Sequence, residues 1–136
     1  MPMTIIVPVS LSETEKARSM LDIANKLGGG DAEIVLVTVI EYVPGYIAAE
    51  LPSGLMEETA EEARSQLREI ARSAGMETPV EVRKGNAATG ILSVAEDRRA
   101  DVIVIASHRP GLQDYFLGST AARVVRHAKC SVHVIR

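Results

Sequence analysis

Cysteine is nearly absent from this chain of 136 residues, which contains only Cys130. A single cysteine excludes an intramolecular disulfide and fits a reducing cytoplasm, which is the expected location. Long apolar runs are also absent, since runs such as Val102–Ala106 are far shorter than the ~20 residues of a membrane-spanning helix. The first residues include neither a basic segment nor a small-residue cleavage site. We therefore expect no signal peptide and no insertion into a membrane.

An excess of positive charge is missing as well. Lys and Arg total 15 while Asp and Glu total 18, which gives a net charge of −3. Nucleic-acid-binding domains usually carry a basic face, so nucleic acid is not an expected partner. The charge is uneven, because 109–136 holds five basic residues and one acid (Asp114), a net of +4, and the remainder carries −7. This segment is either an anion site or a basic helix face in solvent.

Signatures of dedicated catalysts are missing too. The chain has no Gly-x-Ser-x-Gly motif, no phosphate-loop lysine and no paired-acid motif. Its three histidines, His108, His127 and His133, are too dispersed to predict a metal site. Cys130 is interpreted as a small apolar residue without a redox role. The sequence therefore does not favour a dedicated enzyme, and no catalytic residue or metal ligand is assigned.

A regular alternation of apolar runs and amphipathic segments is present, and it predicts one domain over residues 1–136. Hydrophobic residues make up 46% of the chain, enough for a buried core at this length. Apolar, β-branched runs predict five strands, at 4–9, 34–40, 79–83, 102–106 and 130–135. Helices are expected from Ser10 or Ser12, either of which would cap the first, to Gly28, and at 54–74, 86–99 and 119–128. Residues 41–53 predict a long loop.

This order predicts an α/β fold: a single open, doubly wound, five-stranded parallel sheet with helices on both faces. We take the strand order as 3-2-1-4-5, which the hydrophobic pattern alone does not establish. In such sheets ligands bind outside the carboxyl ends of the strands, where the winding reverses. That point would lie between strands one and four, where the loops 8–12 and 106–118 meet.

The segment 105–120 is the most informative for function. A strand runs into a loop, and Gly118-Ser119 then opens a helix. Backbone N–H groups there, with the hydroxyls of Ser119 and Thr120, offer an anion site. The guanidinium of Arg109 could reach phosphate oxygens from the loop. The simpler alternative is that Gly118 eases a turn and Ser119 caps the helix.

Over nearly its whole length the chain resembles the universal stress protein family. The similarity is carried by 5–9, 37–40 and Gly85, and above all by 100–108 and 117–128. The Ser-His-Arg-Pro run at 107–110 is similar to that of a subgroup of small bacterial members. The resemblance implies an open α/β fold, dimerisation through the last strand (Cys130–Ile135) and, in one branch of the family, ATP binding.

The ATP-binding branch carries Gly-x2-Gly-x9-Gly followed by Ser or Thr, and this chain departs from it. Here the pattern is Ala106-x2-Arg109-x8-Gly118-Ser119, so only the final Gly-Ser is retained and the loop is one residue shorter. Ser10 stands where the family has an acidic residue that helps to hold the nucleoside. The resemblance implies binding of ATP, or of AMP or ADP, with Mg²⁺ as a candidate companion. The implied nucleotide-binding residues are Pro8, Val9, Ser10, Val39, Ala106, Ser107, His108, Arg109, Gly118, Ser119 and Thr120.

The last strand would form one edge of the sheet in this topology. An apolar edge strand is a liability unless it is paired, and antiparallel pairing with a second copy would remove it. The alternative is that His133 and Arg136 keep the edge of a monomer soluble. The residues alone leave both readings open, whereas the family resemblance favours a homodimer.

Three functions follow from these observations as hypotheses. The first is a homodimeric, cytoplasmic, ATP-binding stress-response or regulatory protein. The second is a dimeric interaction module without nucleotide that regulates a partner such as a membrane transporter. The third is a slow ATPase or phosphotransferase, which would need a metal-holding carboxylate near the phosphates, and Asp114 is the acid close in sequence.

Overall fold

The computed structural model describes residues 2–41, 55–107 and 117–136, and these alternate between strands and helices. The strands are β1 (Thr4–Pro8), β2 (Glu33–Ile40), β3 (Val80–Lys84), β4 (Val102–Ala106) and β5 (Ser131–Ile135). The helices are α1 (Ala17–Gly28), α2 (Leu55–Ser73), α3 (Ala87–Asp97) and α4 (Ser119–His127), and a 3-10 turn at Thr14–Lys16 precedes α1. Most of the predicted loop at 41–53 lies outside the described residues, as do His108 and Arg109. Among the described helices, none has both the length and the apolar character needed to cross a membrane.

The strands form one parallel sheet in the order β3-β2-β1-β4-β5. The predicted fold class and strand order are therefore confirmed. The chain first winds outward from β1 to β3, and then returns to the other side of β1 with β4. The winding thus reverses between β1 and β4, which are neighbours in the sheet.

Helices cover both faces of this sheet. The first face packs against α1 and α2, and the second packs against α3 and α4. Successive residues of β1 serve opposite faces, since Ile5 and Val7 lie in the first core cluster and Ile6 lies in the second. All three are fully buried. A strand covered on both faces needs apolar residues at every position, which explains the continuous apolar runs in the sequence.

The start of α1 differs from the prediction, because neither Ser10 nor Ser12 caps it. Their hydroxyl oxygens lie 3.0 Å apart in a hydrogen bond to each other. The 3-10 turn carries the helix start further along the chain, and α1 begins at Ala17 without a side-chain cap. The other end is as predicted, since Gly29 ends the helix with φ 70° in the left-handed region that suits glycine.

The free edge at β3 has charged side chains on one face, as the alternating sequence predicts. Val80 and Val82 pack against the α1–α2 core. The interleaved Glu81 and Arg83 instead join an ion-pair network (the β3 ion-pair network) that also includes Asp97, Arg98 and Glu33. Its shorter contacts are 2.9 Å between Arg98 Nε and Glu81 Oε2 and 3.1 Å between Arg83 Nη2 and Asp97 Oδ2. Charges on an edge strand of this kind discourage pairing with another chain.

Candidate functional site

The candidate site is the crevice between the carboxyl ends of β1 and β4, where the winding of the sheet reverses. The β1–β2 ladder runs along the whole of β1, from Thr4 to Pro8, and the β4–β5 ladder runs along the whole of β4. The β1–β4 ladder, by contrast, pairs only Ile5 with Val102 and Ile6 with Ile103. The hydrogen-bonded ladder between β1 and β4 therefore stops before either strand ends, on the side where ligands bind in open α/β folds.

The two halves of the sheet hold the diverging strand ends. On one side, the N–H of Val9 donates to the C=O of Val37 at 2.7 Å, so the end of β1 continues along β2. On the other side, the N–H of Ser107 donates to the C=O of Ile135 at 2.8 Å, so the end of β4 continues along β5. Each strand end is thus fixed by its outer neighbour and not across the crevice.

Pro8 explains why the β1–β4 ladder stops. The C=O of Met3 and the N–H of Val9 bond to β2, whereas the C=O of Thr4 accepts from the N–H of Asp101 next to β4. Backbone groups alternate sides along a strand, so the odd-numbered residues of β1 face β2 and the even-numbered residues face β4. The nitrogen of Pro8 therefore faces β4, and it carries no hydrogen to donate. The sequence predicted Pro8 as a pocket residue, and the structure gives it this further role.

The N-terminus of α4 lies at the rim of the crevice. The N–H of Gly118 donates to the C=O of Ser107, which ties the helix start to the end of β4. Gly118 is the N-cap residue, and among the described residues no side chain caps the helix. The first helical bond runs from the N–H of Ala122 to the C=O of Gly118, so the N–H groups of Ser119 and Thr120 have no acceptor within the helix. The alternative in which Ser119 caps the helix is not what the structure shows.

Ser107 connects the parts of this site. It is 1% exposed, and its backbone bonds both to β5 through Ile135 and to the start of α4 through Gly118. The sequence predicted it as a ligand-contacting residue. In the structure its backbone positions α4 relative to the sheet.

Val39 lies near the carboxyl end of β2, and its side chain packs with the α3–α4 core. Gly90 of α3 comes so close that a Cβ atom at this glycine would lie 2.7 Å from Cγ2 of Val39. The absence of a side chain at Gly90 therefore allows α3 to lie directly on Val39. The sequence analysis missed this residue, although a glycine inside a helical pattern is a signal for close packing.

Most of the predicted binding residues come together at one edge of the sheet. Pro8, Val9 and Ser10 end β1 or follow it, and Ala106 and Ser107 do the same for β4. Gly118, Ser119 and Thr120 begin α4 beside them. Val39 lies at the same edge but on β2, one strand away from the crevice. His108 and Arg109 lie outside the described residues.

The last described segment carries an excess of positive charge, although Arg126 lies in the last turn of α4 and Lys129 lies before β5, away from the start of α4. Residues 117–136 include four basic side chains (Arg123, Arg126, Lys129 and Arg136) and no acid. Within the described ranges, no group of three or more His, Cys, Asp or Glu side chains is placed to hold a metal ion. Burial raises the pKa of the Cys130 thiol at the start of β5, with a smaller contribution from Asp101. This thiol is therefore a weak nucleophile at neutral pH.

Comparison with known proteins identifies the family of the chain. The model of the universal stress protein family matches residues 1–136. The universal stress protein MJ0531 of Methanocaldococcus jannaschii is 31% identical over 140 residues, which cover 97% of this chain and 81% of that protein. The structure of the hypothetical protein MJ0577 superposes with a TM-score of 0.80 at 24% identity, covering 99% of this chain and 96% of that one.

Two structural relatives were solved with nucleotides bound. One is the universal stress protein from Archaeoglobus fulgidus in complex with dAMP, with a TM-score of 0.65, 22% identity and 98% coverage of both chains. The other is a universal stress protein in complex with cAMP, with a TM-score of 0.63, 21% identity and coverage of 99% of this chain and 97% of that one. At these identities the two structures establish the shared fold. The fold and the full-length match to the family model agree, and the chain belongs to the universal stress protein family.

Proposed function

We propose that this chain binds an adenine nucleotide, with ATP as the first candidate, in the crevice between β1 and β4. The observation that carries the proposal is the end of the β1–β4 ladder beyond Ile6 and Ile103, at the point where the winding reverses and next to the start of α4. The dAMP and cAMP complexes of the two structural relatives support adenine as the base. The bound nucleotide would serve regulation, since the chain lacks the motifs of a dedicated catalyst.

The crevice suits the two ends of a nucleotide. Pro8 and Val9 are buried apolar residues at its β1 wall and would pack against the nucleoside. Ser10 is exposed just beyond them and offers a hydroxyl to the ribose. This contact is weaker than one from a carboxylate, so we expect modest affinity.

The phosphates would bind at the start of α4. Its N–H groups carry the positive end of the helix dipole and have no side-chain cap to compete with a ligand. Arg136 follows β5 at the same edge of the sheet and would add positive charge near the phosphates. Mg²⁺ would accompany ATP through its phosphates, as divalent cations commonly do.

Isothermal titration calorimetry with ATP, with and without Mg²⁺, and with AMP and adenosine tests the proposal. Saturable binding of ATP is expected, with weaker binding of adenosine because it makes no phosphate contacts. An absence of binding at millimolar ligand would contradict the proposal and favour the nucleotide-free interaction module. Release of inorganic phosphate during the titration would favour the slow ATPase.

Two variants of Gly118 locate the phosphates. Asp and Asn are both good N-cap residues, so Gly118→Asp and Gly118→Asn should fold, and φ of −63° at this position suits any residue. The added carboxylate repels phosphate. The interaction energy of two like charges about 4 Å apart near a protein surface is unfavourable by more than about 1 kcal/mol, whereas a neutral amide adds no such repulsion. We expect ATP to bind at least about tenfold more weakly to the Asp variant than to the Asn variant. Adenosine should bind equally to both, and equal binding of ATP would contradict the assignment.

We further propose that a second copy pairs with the free edge at β5. The N–H of Ser131 and the C=O of Ile135 bond toward β4, so the backbone groups of Val132 and Val134 face outward. Both valine side chains are half-buried, and no ion pair of the described residues involves β5. The opposite edge carries the β3 ion-pair network. Antiparallel pairing of two β5 strands is therefore the favoured association.

Sedimentation equilibrium at pH 8.0 tests the pairing. A dimer of about twice the chain mass of 14.6 kDa is expected. A monomer at micromolar concentration would contradict it.

A further inference from the structure

We propose that the β5 dimer is weakened by acid, because it places the His133 side chains of two copies opposite each other at the twofold axis. The inference rests on the proposed pairing at β5, and it adds a regulatory property that this pairing alone does not require. It follows from the register of the strands, from the surroundings of His133 and from the charges near it.

The register follows from the length of β5 and the direction of its backbone groups. Full antiparallel overlap of Ser131–Ile135 places Val132 of one copy opposite Val134 of the other and His133 opposite His133. The outward-facing backbone groups of the two valines then form the hydrogen-bonded pairs. The histidines form the intervening pair without hydrogen bonds, in which Cα atoms are about 4.5 Å apart and side chains come closest. Any shift of register leaves strand residues unpaired.

The surroundings of His133 on its own chain are largely apolar. Its register partner in β4 is Val104, which is fully buried. Ile135, two residues further along, points to the same face and packs against the α1–α2 core. His133 itself is half-buried at the edge of that face, so a second strand would enclose it further.

Helix α1 supplies the other wall on this face. Arg18 and Asn25 mark the flank of α1 that faces α2, since they contact the Ser73 carbonyl at 3.2 Å and the Met76 sulfur at 3.9 Å. The opposite flank, toward β5, carries Ile23 and Leu27 by helical spacing. Leu27 is 41% exposed and lies on the flank that a second copy would approach.

Among the described residues, no ion pair joins His133 to an acidic side chain. Charged residues flank the two strands in the sequence, since Arg136 follows β5 and Asp101 precedes β4. The Asp101 carboxylate already accepts the N–H of Thr4 at 2.8 Å. Helices α3 and α4 pack on the other face, and residues 117–136 contain no acid. The second copy brings the same groups, so two imidazolium charges would repel each other without compensation.

The direction of the pH effect follows from this repulsion. Histidine is the side chain whose charge ordinarily changes between about pH 5 and 8, and two neutral rings can pack against each other. In acid, separate chains take up protons in water more readily than the dimer does, because the dimer must hold two like charges together. Protonation therefore favours dissociation. A tenfold difference in proton affinity between the separate chains and the dimer changes the dimer dissociation constant about tenfold. We expect at least that change between pH 8.0 and 5.5.

The experiment measures the dimer dissociation constant of the full chain by sedimentation at pH 8.0 and 5.5. A chelator is present so that no metal can bridge the histidines. The dimer dissociation constant of the wild-type chain should rise at least about tenfold from pH 8.0 to 5.5. The dissociation constants of His133→Leu and His133→Gln should change less than about twofold. The control is His127→Leu, which removes an exposed histidine at the end of α4 and should behave as the wild type. The glutamine variant keeps a polar side chain in case leucine disturbs the fold.

The outcomes distinguish this inference from the proposal beneath it. A monomer at both pH values would contradict the dimer itself, and the inference with it. A dimer with equal dissociation constants at both pH values would overturn the role of His133 and leave the dimer intact. The same acid weakening in both His133 variants would assign the effect to other groups and would also overturn the inference.

Discussion

Replacing Pro8 by alanine should close the crevice by one step of the β1–β4 ladder. The backbone nitrogen of this residue faces β4, and the next acceptor in register is the C=O of Val104. Alanine supplies the missing N–H and keeps a small apolar side chain. The end of β1 would then pair with β4 as well as with β2.

The magnitude follows from two opposing terms. One new backbone hydrogen bond contributes about 1 kcal/mol of stability. Loss of proline increases the entropy of the unfolded chain and costs about 0.4–1 kcal/mol. The free energy of unfolding should therefore change by less than about 1 kcal/mol. Ligand binding, however, must now break the new bond, and about 1 kcal/mol reduces the competent fraction and the apparent ATP affinity about fivefold.

The assay combines calorimetry with amide hydrogen exchange. In Pro8→Ala the new amide at position 8 should exchange slowly in the free protein. It should exchange faster when ATP is bound, because binding breaks its hydrogen bond. The control is Pro79→Ala, which removes an exposed proline before β3, away from the crevice. Protection at position 8 with unchanged ATP affinity would refute the idea that the opening binds the nucleotide. A rapidly exchanging amide would refute the ladder argument itself.

Two further predictions concern packing and thiol reactivity. Gly90→Ala gains about 1 kcal/mol of helix propensity but forces a Cβ to 2.7 Å from Val39, which costs about 1–3 kcal/mol, so urea unfolding should show net destabilisation. Thr89→Ala, at an exposed position, is the control. A Gly90 variant more stable than the wild type would contradict the close contact. Because burial raises the pKa of Cys130, its alkylation by iodoacetamide at pH 7.5 should be slower than that of free cysteine and should accelerate as the pH rises. Labelling as fast as free cysteine at pH 7.5 would contradict this environment.

The fold could be predicted because parallel strands buried on both faces leave a strong pattern. The run Ile34–Ile40 is apolar except for Thr38, and the structure places residues 34 to 37 alternately in the two core clusters. The start of α1 could not be predicted in this way. Ser12 and Glu15 have the spacing of a capping box, but the chain forms a 3-10 turn there instead. Local patterns of this kind do not determine where a turn ends and a helix begins.

The sequence predicted which residues lie at the carboxyl edge of the sheet, but it did not predict why the β1–β4 ladder stops there. The positions of Pro8 and Gly118 in the sequence indicate a loop and a helix start. That the nitrogen of Pro8 faces β4 depends on strand order and on which backbone groups bond to β2, neither of which a hydrophobic pattern contains. The role of Gly90 depends similarly on the distance between α3 and Val39, which only the packed structure provides.

The proposed nucleotide site and the proposed dimer edge are both hydrogen-bonded to the same residue. Ser107 bonds through its N–H to Ile135, the last residue of β5, and through its C=O to Gly118, the cap of α4. A phosphate that moves the start of α4 therefore acts on the residue that holds the end of the dimer strand. Linkage requires that any effect of nucleotide on the dimer equals the effect of dimerisation on nucleotide affinity. A nucleotide-dependent dimer would thus assign a regulatory output to the site, because the signal would pass through hydrogen bonds that the fold already contains.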